Sequence, residues 1–174
     1  MEKIKKKKII LTVIIVMIIA VTASLLIILT LSIYKSEQKQ LNESLSVEYI
    51  TSSVIEKMEY QNLSEISSEN IPKYYEISDD IVSESDMYIS SGSDSITEIA
   101  CFKLTDESKQ DELMKAISDY LSSKSSTYKN VNEKDSQNIT NSRVEIKYPY
   151  VFVVISNDCD SAVTAFNSLT DTKN

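Results

Sequence analysis

Histidine is absent from this chain of 174 residues. That removes histidine-based triads, histidine zinc sites and histidine pH switches. Gly92 is the only glycine. Phosphate-cradling loops need several glycines for close backbone approach, so nucleotide-binding loops are excluded too. Tryptophan is also missing, although there are ten tyrosines. Cysteine occurs only at Cys101 and Cys159, too far apart for a metal motif. An oxidising compartment would allow them one disulfide. The opposing reading is two buried small side chains. A mid-strand place for Cys101 and a helix start for Cys159 favour the latter. No cofactor and no metal is expected.

Charge is present but unevenly divided. Lys3, Lys5, Lys6, Lys7 and Lys8 cluster at the N-terminus with Glu2 as their only acid. Setting those aside leaves 13 basic against 25 acidic residues, a formal charge of −12. Such a domain repels nucleic-acid phosphates and anionic headgroups, so no nucleic-acid partner is expected.

The longest apolar feature is Ile9 to Ile33, 25 residues without a charge. As a helix it would span about 37 Å, enough for the hydrocarbon core with some tilt. Ile9, Ile14, Ile18, Leu26 and Ile33 are representative anchor residues. Tyr34 and Lys35 suit the outer interface. The five lysines set the direction, N-terminus cytoplasmic and C-terminal domain extracellular. A cleaved signal peptide ending near Ala23 is the rival, but it would leave the apolar Leu25–Ile33 as a new terminus. The expected organisation is a basic tail over 1–8, a transmembrane helix over 9–34, a polar stalk over 35–43 and one extracytoplasmic domain over 44–174. The bilayer is then one partner, and another envelope or membrane protein the other.

Within the domain, Val47, Ile50, Val54 and Met58 recur at helical spacing and predict a helix from about Ser44 to Tyr60. Asn62 to Asp80 reads as a loop with a short helical turn, Pro72 early in it. Met87-Tyr88-Ile89 is a short strand, Ser90–Ser95 a turn, and Ile96–Leu104 a strand. Thr105 is expected to cap a helix whose stripe is Leu113, Ala116, Ile117, Tyr120 and Leu121. The polar stretch Ser122–Asn141 reads as an exposed loop. Val144, Ile146 and Tyr148 alternate with charges, as in a half-buried edge strand. Tyr150–Ile155 is apolar on both faces and should be central. Asp158 or Asp160 caps a last helix. These elements predict an α+β domain: a mainly antiparallel four-stranded sheet with helices packed on one face.

The segment Glu98–Leu104 with its acidic helix start, and Tyr150–Asp158 leading into a helix, resemble a family of uncharacterised bacterial extracytoplasmic domains. The resemblance covers roughly Leu45 to Thr170. It implies a domain tethered by a lipid or one membrane helix, common in Gram-positive bacteria, with no assigned role and no catalytic residues to carry over. Where that family often has glycine in the bend before the last strand, this chain has Tyr148-Pro149-Tyr150.

Candidate sites are few. Asp158 and Asp160 suggest a calcium site or, more simply, an N-cap. Asp79 and Asp80, with Glu76, Glu84 and Asp86, suggest paired carboxylates or a solvated acidic loop. Ser–Lys pairs such as Ser123-Lys124 are merely adjacent in the sequence. Tyr148 and Tyr150 at a hairpin tip are the expected partner contacts. The reading that follows is a non-enzymatic protein-binding or envelope-assembly module. The alternative is a cell-envelope hydrolase using carboxylates only.

Overall fold

The structure, a computed structural model, describes residues 17, 20–33, 45–90 and 96–171. The chain divides into two units, Met1–Gln40 and Leu41–Asn174.

In the first unit residues 20–33 are helical with every side chain exposed, Leu26 and Ile33 included. The Ser24 and Thr30 hydroxyls donate back to Ala20 O (2.7 Å) and Ile27 O (2.9 Å), so the apolar helix carries no stray donor there. Among the described residues no helix is long and apolar enough to cross a membrane. The expected anchor positions Ile9, Ile14 and Ile18 lie outside the described residues. So do Lys3, Lys5, Lys6, Lys7 and Lys8, the interface pair Tyr34 and Lys35, the stalk 35–43 and Gly92.

The second unit is an α+β domain built on a five-stranded sheet. In chain order it runs α1 (Val47–Lys57), β1 (Leu63–Glu65), α2 (Ile71–Tyr75), β2 (Val82–Ser90), β3 (Glu98–Leu104), α3 (Gln110–Tyr128), α4 (Glu133–Thr140), β4 (Arg143–Lys147), β5 (Tyr150–Ile155) and α5 (Cys159–Thr170). The spatial strand order is β1-β2-β3-β5-β4, and every neighbouring pair is antiparallel.

The expectation of four strands with helices on one face is corrected twice. First, β1 adds a three-residue edge strand by pairing Leu63–Glu65 with Tyr88–Ser90. It is too short to carry a period. Second, helices cover both faces. Successive strand residues point to opposite faces, and in β3 and β5 both sets are apolar. Ile99, Cys101, Tyr150, Phe152 and Val154 pack with α1 and α5 residues such as Ile50 and Phe166. Ala100, Phe102, Val151 and Val153 pack with Tyr75 of α2 and with Leu113 and Ile117 of α3. The Phe152 and Phe166 rings stack at 4.8 Å, and Tyr75 meets Phe102 edge-on at 4.9 Å. Burial on this scale contributes about 2 kcal/mol per large aliphatic side chain.

Three more expectations change. Ser122–Asn141 is not a loop. Helix α3 continues to Tyr128, and Asn132 caps α4 by accepting from Asp135 N at 3.2 Å. Its Ile139 closes the end of the sheet against Ile96 and Ile155. Thr105 caps nothing. Its hydroxyl donates to Asp80 O at 2.7 Å, while Asp106 caps the turn ahead of α3. The first hairpin strand is nine residues, not three, because β2 alternates irregularly around a register shift between Val82 and Glu84. The edge strand β4 and the central β5 stand where the sequence patterns place them. Side chains of β4 reach α5: Arg143 pairs with Asp160 at 3.0 Å, Lys147 with Asp171 at 2.7 Å, and Glu145 accepts from Asn167 at 3.3 Å. Cys101 and Cys159 are both free and buried.

With glycine so scarce, left-handed backbone falls to Glu59, Asn62 and Glu76 (φ 54°, 56° and 51°). Glu59 ends α1. Tyr60 N reaches back to Ile55 O (3.1 Å) and Glu59 N to Glu56 O (3.1 Å), the hydrogen-bond pair of a Schellman terminus that favours glycine. Glu59→Gly is expected to stabilise the chain by about 1 kcal/mol, read as a raised urea midpoint. An unchanged or lowered midpoint would contradict the strain.

Candidate functional site

Strand β3 carries two charged side chains, Lys103 near its end and the acid Glu98 that opens it. By alternation Glu98 shares the face of Ala100 and Phe102, under α2 and α3, and it is 0% exposed. A carboxylate held there must find donors. It has three. Tyr75 Oη donates to Oε1 at 2.9 Å, Tyr120 Oη to Oε2 at 2.8 Å, and Lys124 Nζ also bonds Oε2. Lys124 further donates to Tyr120 Oη at 2.7 Å and lies 5.0 Å from the centre of the Tyr120 ring. The Lys124 side chain is 17% exposed, so the pair is closed from one side only.

Two members of this network, Tyr75 and Tyr120, also line a cleft of about 680 Å³ between the end of α2 and the face of α3. Tyr74, Tyr75 and Tyr120 line it together with Glu76, Glu112 and Asp119. Tyr74 is 44% exposed. Burial first, and then the Glu98 charge, push the Tyr75 and Tyr120 phenols well above the ordinary tyrosine value. They stay protonated and donate inward, so the cleft receives ring surface from them and no phenolate.

A second buried carboxyl lies on the opposite face. Asp86 of β2 stands opposite Cys101 in the register and is 3% exposed. The Thr51 hydroxyl of α1 bonds its Oδ2, and the same hydroxyl lies 3.0 Å from Val47 O. One proton cannot serve both acceptors. Desolvation raises the Asp86 acid above the usual carboxylate range, against a smaller lowering by Thr51.

The candidates expected from sequence do not converge. Asp158 caps α5, accepting from Ser161 N at 3.1 Å, and this holds its acid below the ordinary range. Asp160 turns away to Arg143. Among the acidic run, Asp80 pairs with Lys109 at 2.5 Å, Glu84 with Lys103 at 2.7 Å, and Asp86 is buried. Among the described residues no three acids or cysteines gather to hold a metal ion. Lys124 engages Glu98 and Tyr120, not Ser123. Tyr150 is corrected as a contact residue. It is 0% exposed, and its hydroxyl donates to Leu45 O at 2.5 Å. Tyr148 is half-buried beside the Ala100–Phe102 face. The signal that would have found the Glu98 site is its parity: an acid on the buried face of an apolar strand needs a cation.

Two outcomes follow from these carboxyls. Lys124→Met leaves Glu98 buried without its cation and is expected to cost about 3 kcal/mol, while Glu98→Gln in the same chain restores much of it; urea unfolding of the two singles and the double reads both. For Asp86 the folded acid constant is raised above its unfolded value. Its contribution is therefore fully present below the unfolded value and is lost as pH rises through the folded one. Asp86→Asn is expected to melt higher than wild type at pH 7, with the gap closing by about pH 4, near the unfolded aspartate value. A gap that widens on acidification would reverse the assignment.

A family model described as a domain of unknown function (DUF4358) matches residues 56–156, which hold α2, the four strands β2 to β5 and all four members of the Glu98 network. No curated protein and no solved structure matches the chain.

Proposed function

The chain belongs to the DUF4358 family, and from that premise we propose a single-pass, membrane-anchored extracytoplasmic domain that binds another envelope or membrane protein and catalyses no reaction. The carrying observation is the helix over residues 20–33. Its aliphatic side chains face outward all round, Leu25 to Leu29 each more than half exposed. A helix apolar on every side belongs in a core or a bilayer. In the sequence the same uncharged run continues back to Ile9, behind five lysines. The positive-inside rule then puts the acidic domain outside. Tethering raises the domain's effective concentration toward partners in the same membrane.

Binding is favoured over chemistry by the state of the polar groups. Glu98 is saturated with donors, the phenols of Tyr75 and Tyr120 are held protonated, and Asp86 is sealed under α1. None of these offers an ionised group to a reacting atom. Exposed rings at Tyr49 and Tyr74 are suited to contact.

In cells producing the full chain, the protein is expected in the membrane pellet after washes with concentrated salt and alkaline carbonate. Protease added to intact cells should digest the domain. Replacing Lys5, Lys6, Lys7 and Lys8 by glutamate should reduce the protease-accessible fraction. Release by salt alone, or a domain protected in intact cells, overturns the reading.

A further inference from the structure

We propose that the cleft between α2 and α3 takes a lysine- or arginine-bearing segment of the partner protein. This rests on the binding role above and names the chemistry of that contact. Glu98 draws the hydroxyl protons of Tyr75 and Tyr120 inward; Tyr75 is only 1% exposed, so the ring surface that this pair offers the cleft is that of the half-buried Tyr120. Ring faces carry negative quadrupole density and attract ammonium and guanidinium groups. Tyr74 supplies the more open ring, 44% exposed. The charged lining has one sign in excess. The lining holds Glu76, Glu112 and Asp119 with Lys115; Asp119 is paired with Lys115 at 2.7 Å and Glu112 with Lys109 at 3.7 Å, which leaves Glu76 as the excess charge.

Glu76 is the uncommitted charge. It sits in left-handed backbone at the end of α2, where its amide closes the helix onto Pro72 O. Its carboxylate makes no ion pair among the described residues. Aromatic walls with a free carboxylate at the rim match a cationic side chain on an apolar stem. The volume, about 680 Å³, admits one or two such side chains. The net charge of the domain, −12 beyond the lysine cluster, would speed the encounter with a basic partner.

The test uses the full chain in detergent and three fluorescein-labelled peptides, serine alternating with lysine, with arginine or with norleucine. Fluorescence anisotropy should show the two basic peptides binding and the norleucine peptide binding at least tenfold more weakly. Tyr74→Leu, which keeps the bulk and loses the ring, should weaken the basic peptides about threefold. Glu76→Gln should weaken them comparably. Glu56→Gln, on exposed α1 surface outside the cleft, serves as the control for diffuse attraction and should change little. Equal weakening by Glu56→Gln overturns the site. Equal affinity for the norleucine peptide that is lost in Tyr74→Leu keeps a binding role and overturns the cationic class. No binding of any peptide by a chain that still sediments with membranes overturns this inference and leaves the tether standing.

Discussion

The structure depends on two strands that have no polar face. Strands β3 and β5 lie side by side and, apart from the ion-paired Glu98 and Lys103 of β3, are apolar on both surfaces. A sheet with such a centre cannot rest one side on water, so it needs a helical layer above and another below. Helices α1 and α5 supply one layer, α2 and α3 the other. The remaining strands follow from this. They sit outside the pair, where alternating or irregular patterns are tolerated, and β4 is half-buried for that reason.

The same constraint accounts for the two buried carboxyls. With a helical layer on either side, Glu98 of β3 and Asp86 of β2 are both shut from water and have to be resolved inside the protein. Glu98 is resolved as a charge, with Lys124 and two phenols around it. Asp86 is resolved by a raised acid constant and the Thr51 hydroxyl. One solution binds α3 to the sheet and builds a cleft wall. The other ties α1 to β2 through the Thr51 hydroxyl. Reading the domain as a binding module therefore treats these acids as architecture, with the working surface lying just outside them in the rings and rim carboxylates.

Much of this was legible in the residues. The helix from Val47, the central place of Tyr150–Ile155, the edge character of Val144–Ile146 and the Asp158 cap all come from period and side-chain chemistry. The second helical layer was implied by Tyr150–Ile155 itself, since a strand apolar on both faces demands it. Helix α4 was hidden because Ile139 is the one buried aliphatic in an otherwise polar stretch. The cleft was hidden for another reason. Its walls come from α2, the segment after it and α3, and the Tyr75, Glu98, Tyr120 and Lys124 network behind it forms only once the layers stack. Tyr150 misled because a hairpin tip suggests exposure, whereas its parity sends it inward beside Phe152.

The clips between β4 and α5 carry a further meaning. Arg143, Glu145 and Lys147 meet Asp160, Asn167 and Asp171 from one face of the strand, while Val144 and Ile146 turn to the other. A slip of β4 by one residue would bring the aliphatic pair under those acids and drive three polar side chains toward the opposite core. The six side chains thus act as an error check on strand registration. They leave this edge strand with a single alignment to adopt.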